Sequence, residues 1–384
     1  MVYNCLNLSS IANPISISVQ NPSRSDYDRF IGLEHYDSGE PVITRFQGTE
    51  LLTTSAKAFK ANDILIARRN VYLKRAGIVF FDGITSGDSI ILRLKEDTQK
   101  TIGYSREDLI RYIPFMLNSE HFWIYANKHA DGMNSKRISK DTLLEYEFEL
   151  PSIDEMRDIS DKLWAAYRLK EAYKKLLVTT DEMVKSQFIE MYYNTHNKQT
   201  LESVCPIMSK GITPKYVESS SVLVINQACI HWDGQRLGNI KYHNEEIPVR
   251  KRILESGDVL LNATGNGTLG RCCVFICPSD NNTYINDGHV IALSTDRAVI
   301  LPEVLNTYLS LNDTQAEIYR QYVTGSTNQV DIVFSDIKKM KVPVPSMDEQ
   351  ILFVEVLKQA DKSKFELKQC IEHIDKVIKS LING

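Results

Sequence analysis

Two long segments of the chain carry apolar side chains at alternating spacings of four and three residues, the pattern of a coiled-coil seam. In the second segment the seam positions are Phe353, Leu357, Ala360, Lys364, Leu367, Ile371, Ile374, Ile378 and Leu381. In the first segment, 194 residues earlier, they are Ile159, Leu163, Ala166, Lys170, Tyr173, Leu177, Thr180, Val184 and Gln187. A lysine interrupts both seams at the same position. The pattern predicts two related helices that pair with each other.

Each long segment begins with the same short sequence, LPSIDEM at 150–156 and VPSMDEQ at 344–350. Proline suits the residues just before a first helical turn, and the Asp-Glu pair places negative charge near the positive end of the helix dipole. Because neither glycine nor proline follows, we expect the first helix to run from Asp154 to about Tyr192. At 1.5 Å per residue it would be about 57 Å long.

Shorter apolar runs repeat outside the helices and predict strands. NDILIA at 62–67 aligns with GDVLLNA at 257–263, and DSIILRL at 88–94 aligns with DGHVIAL at 287–293. In each copy a turn leads into a short apolar strand, and a loop follows. The loops are RRNVYLKRAG at 68–77 and TGNGTLGR at 264–271. The repeat therefore extends to two homologous globular domains.

The order of these elements predicts an α+β chain with an internal duplication. Its expected parts are a globular α/β domain at 1–150, a helix at 151–195, a second globular domain at 196–345 and a second helix at 346–384. Pairing within one chain would set the helices antiparallel with approximate two-fold symmetry. A coiled coil between two chains is the alternative.

Composition adds little to this picture. The 384 residues are 43% hydrophobic and 24% charged, and the net charge is −4, so any nucleic-acid contact requires a local basic patch. The N-terminus lacks the pattern of a signal peptide, and no apolar run approaches the length of a membrane span. We therefore expect a cytoplasmic protein with reduced cysteines and no membrane partner. The cysteines at 272, 273 and 277 lack zinc-site spacing, and we predict no metal site.

Several sequence blocks resemble one family. They are FIGLEH at 30–35, GDVLLNATGNGTLGR at 257–271 and TGSTNQVDIVFSDIKKMKVPVPSMDEQ at 324–350, together with the long helix after each Pro-x-x-x-Glu element. In this order they resemble the specificity subunits of type I restriction-modification systems over essentially the whole chain. One departure is Met156, where the family and the second copy, at Gln350, have glutamine. A second departure is that the glycine-threonine loop has no clear copy in the first half.

The resemblance implies a division of labour. Each globular domain would read one half of a bipartite double-stranded DNA target, and the helices would act as a spacer that docks two methyltransferase subunits. Restriction and translocation subunits would complete the complex. The chain itself would be non-catalytic and hold no cofactor, while S-adenosylmethionine, ATP and Mg²⁺ would bind to the partner subunits.

Sequence motifs for catalysis are weak. Residues 265–270, GNGTLG, satisfy GxGxxG, but the apolar RCCVFICP that follows predicts a strand instead of the helix that a dinucleotide site requires. A turn between strands is the favoured interpretation. The chain contains no GxxxxGK[ST] phosphate loop and no clear adenine methyltransferase motif.

Loops rich in arginine, lysine and asparagine are the candidates for DNA contact, since arginine pairs well with guanine, asparagine with adenine and either cation with phosphate. In the first half they are Arg68, Arg69, Asn70, Tyr72, Lys74, Arg75, Lys136 and Arg137. In the second half they are Arg250, Lys251, Arg252, Asn262, Thr264, Asn266, Thr268, Arg271, Asn328 and Gln329. A solvated hairpin remains the alternative for the first loop, and a turn cap for the last two residues.

Three other functions remain open at this stage. A type IIB-like restriction-modification enzyme uses a similar specificity subunit, and a separate helicase-nuclease gene would distinguish type I. A self-contained methyltransferase would methylate DNA without a partner. A coiled-coil scaffold would show no DNA sequence preference.

Overall fold

The computed structural model describes residues 5–133, 135–326 and 329–383, with the side chains of Tyr193, Ser326 and Gln329 left out. Packing divides the chain into two compact units. Unit 1 is Met1–Lys175 with Lys368–Gly384, and unit 2 is Leu176–Leu367. Each unit takes part of both long helices, because each globular core packs against them. The boundaries inferred from the sequence, which separate helices from globular domains, stay a prediction.

Unit 1 contains ten short strands among its described residues: β1 Leu6–Asn7, β2 Ala12–Ile15, β3 Ile17–Val19, β4 Phe30–Ile31, β5 Ala56–Phe59, β6 Ile64–Ala67, β7 Ala76–Ile78, β8 Gly83–Thr85, β9 Ser89–Leu94 and β10 Glu147–Phe148. Its helices are α1 Leu8–Ile11, α2 Thr98–Thr101, α3 Arg106–Met116, α4 Glu120–Lys128, α5 Lys140–Leu144 and the beginning of α6 Ile153–Tyr193.

Two four-stranded sheets build unit 1. The first has the order β2-β9-β6-β7 and is antiparallel throughout, and the second has the order β3-β5-β8-β4 with β4 parallel to β8. All four residues of β6 are buried, as expected for a central strand that is a short continuous apolar run. One apolar cluster joins this sheet to α3, α4 and Met156 of α6. The first sheet is thereby attached to the start of the long helix.

Unit 2 contains the strands β11 Lys198–Thr200, β12 Ile207–Lys210, β13 Tyr216–Val217, β14 Val222–Ile225, β15 Ile230–His231, β16 Gly234–Gln235, β17 Lys241–His243, β18 Val259–Asn262, β19 Cys272–Val274, β20 Thr283–Asn286, β21 Val290–Ser294, β22 Val323–Ser326, β23 Gln329–Ile332 and β24 Lys341–Pro343. Its helices are the end of α6, α7 Leu201–Val204, α8 Pro302–Ser310, α9 Asn312–Gln321, α10 Phe334–Ile337 and most of α11 Met347–Asn383.

The main sheet of unit 2 repeats the main sheet of unit 1. Its order, β12-β21-β18-β19, is antiparallel and matches β2-β9-β6-β7 strand for strand. A second sheet, β13-β17-β14-β20, has its own order, with β14 parallel to β20. The duplication seen in the sequence is thus a duplication of fold. This confirms the predicted α+β class with two homologous domains, each followed by a long helix.

The turn before the central strand is also duplicated in detail. Asn62 and Gly257 both have positive φ, 70° and 96°, and their N–H groups donate to the carbonyls of Val79 and Phe275 at 2.7 and 2.8 Å. The next residue is a buried aspartate in each unit. Asp63 accepts two hydrogen bonds of 2.7 Å from Arg93, and Asp258 accepts bonds of 3.3 and 2.9 Å from Arg252. The acid is equivalent in the two units, whereas the arginine comes from a different place.

Both long helices begin at a capping box. Ser346 and Glu349 exchange hydrogen bonds, from the Ser346 N–H to the carboxylate at 2.9 Å and from the Glu349 N–H to the hydroxyl at 3.4 Å. Ser152 and Glu155 repeat the arrangement at 3.1 and 3.4 Å. The serine hydrogen bonds hold the pKa of both glutamates below its usual value. The sequence indicated the acidic first turn, and the serine completes the cap.

The residue after each capping box differs between the copies for a structural reason. Met156 is fully buried in the apolar cluster of unit 1. Gln350 is fully buried too, but its amide accepts from the Leu301 N–H at 2.8 Å and donates to the carbonyls of Val299 and Pro345 at 2.9 and 3.0 Å. Glutamine therefore attaches the start of α11 to the segment before α8, and methionine fills a core.

Helix pairing can be followed inside each unit. In unit 1, Leu163 of α6 and Ile378 of α11 share a cluster with Phe115. In unit 2, the rings of Phe188 and Phe353 lie 5.0 Å apart, and Val184 and Leu357 join the same core. In unit 1 the contact moves from Leu163 with Ile378 to Lys170 with Asp375, and in unit 2 from Asp181 with Lys364 to Phe188 with Phe353. Within each unit the contact on α11 thus moves to earlier residues as α6 advances, so the paired segments are antiparallel. No helix within the described part of the chain is both long enough and apolar enough to span a membrane.

Candidate nucleic-acid interface

The loop between β6 and β7 has a constrained tip. Asn70 and Lys74 lie in the left-handed region, with φ of 54° and 48°, on either side of a 3₁₀ turn at Val71–Leu73. Val71 is buried and anchors this turn, while the Tyr72 side chain is 59% exposed. Two non-glycine residues with positive φ in one loop are uncommon, and such backbone strain often occurs at functional sites. The loop presents an aromatic ring and a lysine at a defined place.

Residues 135–138 pack against this loop. The Asn70 N–H donates to the Lys136 carbonyl at 2.7 Å, and Arg69 Nε donates to Ser135 Oγ at 2.9 Å. Arg69 and Arg137 form a β-bridge, and the two guanidinium groups lie 3.8 and 3.7 Å from the Asp88 carboxylate. The structure therefore brings together two pairs of residues that are far apart in sequence: Arg69 and Asn70, and Lys136 and Arg137. The one carboxylate that Arg69 and Arg137 share, that of Asp88, offsets one of the three positive charges of Arg69, Lys136 and Arg137, so the surface is basic.

One arginine of this loop, Arg75, has structural partners instead. Arg75 donates to the carbonyls of Leu33 and Arg69 at 2.9 and 3.1 Å, and burial lowers its pKa. Arg68 is half-buried. Lys57 of β5, which sequence reasoning missed, lies near Arg68, since burial and then the Arg68 charge lower its pKa. A lone lysine in a strand carries no local signal of this proximity.

In unit 2 the equivalent loop joins β18 to β19 and contains three glycines with positive φ, Gly265, Gly267 and Gly270. A Cβ on Gly265 would lie 2.2 Å from Thr268 Oγ1 and 2.5 Å from Gln227 Oε1, so only glycine fits there. The flanking strands pair antiparallel. The GNGTLG sequence is therefore a turn between strands, as predicted, and opens no helix.

The polar side chains of this loop form a hydrogen-bonded network. Asn262 is buried and donates to the carbonyls of Gln227 and Thr268 at 3.1 and 3.2 Å, so it shapes the loop from beneath. Thr264 Oγ1 lies 2.9 Å from His289 Nδ1, and Thr268 donates to the Thr264 carbonyl at 3.1 Å. Asn266 is exposed and Arg271 half-buried. Gln227 and His289 belong to this surface, although neither stands in the loop sequence.

The two loops occupy equivalent positions but differ in charge. Thr264 bridges to Asp331 as Arg69 bridges to Arg137. Ala263 N–H donates to the His289 carbonyl at 2.8 Å as Arg68 N–H donates to the Asp88 carbonyl at 2.9 Å. Asp331 is paired with Lys210 at 2.8 Å. The first surface is basic, and the second is close to neutral and rich in hydrogen-bonding groups.

The three residues of the Arg250-Lys251-Arg252 patch have different surroundings in the structure. Arg250 is exposed. The Lys251 ammonium donates to the carbonyls of Lys210 and Gly211, both at 2.9 Å. The Arg252 guanidinium forms an ion pair with the Asp258 carboxylate at 2.9 Å, which favours a structural role for Arg252 over contact with phosphate. Of the last two predicted residues, Asn328 lies outside the described residues and Gln329 is described in its backbone alone.

The predicted seam residues are all buried or half-buried: Ile159, Leu163, Lys170, Tyr173, Leu177, Val184, Phe353, Leu357, Lys364, Leu367, Ile371, Ile374 and Ile378. In unit 1, Lys170 is 7% exposed and its ammonium lies 2.6 Å from Glu40 Oε1, which also lies 3.0 Å from Lys174 Nζ. Burial alone would raise the pKa of Glu40, but the hydrogen bonds and charges of Lys170 and Lys174 outweigh it and lower that pKa.

We expect Glu40→Gln to reduce the free energy of unfolding by about 2 kcal/mol at pH 7, the typical contribution of hydrogen bonds to a charged group. Because the pKa of Glu40 is lowered on folding, its stabilisation is present above the ordinary value of 4.5 and is lost as the pH falls through the folded value. Chemical denaturation of both proteins between pH 7 and pH 3 measures this. The difference in the free energy of unfolding between the native chain and Glu40→Gln should shrink below pH 4.5. A difference that stays constant with pH would contradict the assigned role of the Glu40 carboxylate. The exposed Glu50, as Glu50→Gln, is the control.

Comparison with known proteins places this geometry in context. Residues 197–375 match the family described as the type I restriction modification DNA specificity domain. A chain from a solved structure on complex assembly and conformational transition of the type I R-M system is 15% identical, with a TM-score of 0.59 and coverage of 99% of this chain and 96% of that chain.

The S subunit of the type I restriction-modification system from M. genitalium is 13% identical, with a TM-score of 0.53 and coverage of 100% of this chain and 96% of that chain. No curated protein sequence matches the chain. At these identities the solved structures establish the fold, and the family match confirms the resemblance found in the sequence. Residues 197–375 thus match the type I restriction-modification DNA specificity domain, and the whole chain shares the fold of the solved type I S subunit.

Proposed function

We propose that each unit reads one half of a bipartite double-stranded DNA target. The observation that carries this proposal is the placement of two chemically different loops, 68–75 and 263–271, at the same position of two homologous sheets. A shared frame with different loops suits a protein that must read two unrelated half-sites. The family match of residues 197–375 supports the same function for unit 2.

In unit 1 the basic surface provides the electrostatic part of binding. Arg69, Lys136 and Arg137 are placed to contact phosphates or guanine edges, since arginine pairs with guanine through two parallel hydrogen bonds. The exposed Tyr72 ring at the constrained tip is suited to contact with a base or sugar. The Asn70 side chain accepts from Ser135 Oγ at 3.1 Å, so its amide nitrogen remains the group that faces a base.

In unit 2 the reading surface depends on neutral donors and acceptors. Thr264, Asn266 and Thr268 surround the turn, with Gln227 and His289 beside it. Such groups discriminate base edges by hydrogen-bond pattern and add little non-specific attraction to phosphate. Of the four cations predicted from the sequence in unit 2, Arg250 and Arg271 are the two that we assign to the DNA backbone. The two half-sites should therefore differ in how strongly salt weakens their binding.

The paired helices act as the spacer between half-sites and as the docking surface for two methyltransferase subunits. Within unit 2, Leu176, Val178 and Met183 of α6 are 49%, 58% and 51% exposed, so this helix offers apolar side chains to a docking partner. Methylation and cleavage would belong to partner subunits, which would bind S-adenosylmethionine, ATP and Mg²⁺, and restriction subunits would complete the complex in the cytoplasm.

The test begins with mapping of methylated adenine in cells that carry this chain and its methyltransferase. A two-part motif with one fixed gap is the expected result. Methylation by the purified chain alone would identify a self-contained methyltransferase. Binding without any sequence preference, even with the methyltransferase present, would identify a scaffold.

We expect the double variant Arg69→Gln/Arg137→Gln to weaken binding to the first half-site by at least tenfold and to lower the salt slope by about 2, since each lost phosphate contact removes about one unit. Preference at the second half-site should persist. Titrations on duplexes with either half-site scrambled, at several salt concentrations, measure both effects.

Arg106→Gln is the matched control. Arg106 Nε donates to the Leu94 carbonyl at 3.2 Å, at the end of β9 opposite Asp88, about 20 Å away by strand geometry. Equal losses at both half-sites in the double variant, or none, would show that the surface of unit 1 does not read the first half-site.

A further inference from the structure

Lys170 occupies a seam position that a coiled coil normally fills with an apolar side chain. It is 7% exposed, and its ammonium lies 2.5 Å from Asp375 Oδ1 of α11 as well as 2.6 Å from Glu40. A buried lysine costs stability unless it is paired, so its partners determine whether the site is tolerated. In unit 1 one partner comes from the facing helix and one from the globular domain.

Lys364 occupies the equivalent position of the second seam. In unit 2 its ammonium lies 3.0 Å from Asp181 Oδ1 of α6 and 2.9 Å from Asp361, one turn earlier on its own helix. Burial would lower the pKa of Lys364, but the two aspartates outweigh it and raise that pKa. The inter-helix pair of unit 1 therefore recurs in unit 2 with the roles of the helices exchanged.

The two pairs are reciprocal in sequence. Each helix supplies a lysine and, eleven residues later, an aspartate: Lys170 and Asp181 on α6, and Lys364 and Asp375 on α11. In each unit the lysine of one helix meets the aspartate of the other. We infer that Lys170 and Lys364 are specificity-determining residues that select one register of the antiparallel helices, and thereby the gap between the half-sites.

A shift of one heptad would break both pairs. Movement of α11 by seven residues in one direction would bring Lys368 to the place of Asp375 and Lys174 to the place of Asp181, so that like charges meet. The opposite shift would bring Ile382 and Phe188 to those places, so each lysine would lose its carboxylate partner on the facing helix. Purely apolar seams would tolerate either shift far better. The lysines thus exclude the nearest competing registers.

The inference rests on the proposed function for its consequence on DNA, because a register matters to the target only if the helices separate two reading surfaces. Seven residues correspond to about 10 Å along a helix, or roughly three base pairs. A mixture of registers would therefore give a mixture of gap lengths.

Engineered cysteines in the full chain report the register without DNA. With Cys370→Ser as background, Leu163→Cys with Ile378→Cys marks the observed register, because these residues share one cluster. Leu163→Cys with Ile371→Cys marks a one-heptad shift. In the otherwise native chain the second pair should cross-link at less than about a tenth of the yield of the first. In the variant Lys170→Met/Lys364→Met its yield should rise several-fold; an unchanged yield overturns the inference.

A charge exchange keeps the test decisive if the methionine variant fails to fold. Lys364→Asp and Asp181→Lys should each lower the melting temperature by roughly 2–6 °C, and the two together should recover most of the loss. Losses that simply add would overturn the inference. Exchange at Lys170 is less suitable, because the largely buried Glu40 would then repel the new acid, whereas Asp361, which would repel an acid at position 364, is exposed to water.

The methylated motif provides the DNA-level result. The Lys170→Met/Lys364→Met chain should methylate motifs with more than one gap length, and a single gap equal to that of the native chain overturns the inference. A native chain that yields no bipartite motif would refute the proposed function instead, while the cross-linking result would still decide whether the lysines select the register.

Discussion

Arg252→Met is expected to lower the free energy of unfolding by about 3–5 kcal/mol, the usual cost of breaking a buried ion pair from one side. Its partner Asp258 is almost completely buried and also accepts hydrogen bonds from the Glu255 N–H at 2.9 Å and from Ser294 Oγ at 2.6 Å. Removal of the guanidinium leaves a carboxylate without a counter-charge at the turn that leads into β18. Denaturant unfolding followed by circular dichroism measures the loss.

Arg250→Met is the matched control, since Arg250 lies two residues away and is exposed. It should change the free energy of unfolding by less than about 0.5 kcal/mol. If Arg250 contacts phosphate, as proposed, its loss should weaken DNA binding without loss of stability. A stable Arg252→Met chain would show that the pair with Asp258 is not what holds this turn, and would restore Arg252 as a candidate for DNA contact.

Gln350→Met should cost about 2–3 kcal/mol, because it removes the glutamine partner of the half-buried Leu301 N–H and Val299 carbonyl. The reciprocal change, Met156→Gln, should cost about 2–4 kcal/mol, because an amide would replace an apolar side chain in a cluster of apolar side chains. Each substitution copies the residue that the other repeat carries at the same position. We therefore expect both losses to arise from the different residues that surround positions 156 and 350, and not from a general preference of one residue type at the start of a helix.

Controls for these variants come from exposed positions of the same helices. Gln369→Met on α11 and Met183→Gln on α6 make the same chemical changes where the side chain meets water, and each should be nearly neutral in urea unfolding. Stability of Gln350→Met close to that of the native chain would mean that water replaces the lost hydrogen bonds.

The long helices were the most predictable part of the fold. Their seams, the acidic first turns and the absence of glycine and proline placed α6 within one residue of its observed bounds, Ile153–Tyr193. The GNGTLG turn was predictable as well, because an apolar segment closed by proline cannot open a helix. These features depend on local chemistry, which sequence displays directly.

Partners distant in sequence were not predictable. The Arg250-Lys251-Arg252 run indicated a phosphate patch, yet a buried aspartate six residues later takes Arg252. The equivalent aspartate of unit 1, Asp63, pairs with Arg93 of another strand. The sequence spacing of the pair therefore differs between the units, and a spacing rule could not predict it. Gln227 reaches the loop 263–271 from a 3₁₀ turn after β14, a strand of the other sheet of unit 2. Side-chain partners across a sheet depend on register, which a single sequence does not specify.

The alignment of the repeats also needed the structure. DSIILRL and DGHVIAL were matched at their aspartates, but the strand pairings Ile66 with Ile90 and Leu261 with Ile291 shift that match by two residues. Asp88 therefore corresponds to His289, not to Asp287. The acid that moderates the basic surface of unit 1 has a histidine as its counterpart beside Thr264.

The aspartate turn and the variable loop stand at opposite ends of the central strand in each unit. At one end of the strand an ion pair between the buried aspartate and an arginine stabilises the fold. At the other end, the loop that we propose to contact DNA differs in side chains between the two units. Substitutions in the loops 68–75 and 263–271 thus put little strain on the framework that carries them. Such a separation lets lineages exchange or diversify their loops under selection while the framework persists, so the protein is built for evolutionary change in what it binds.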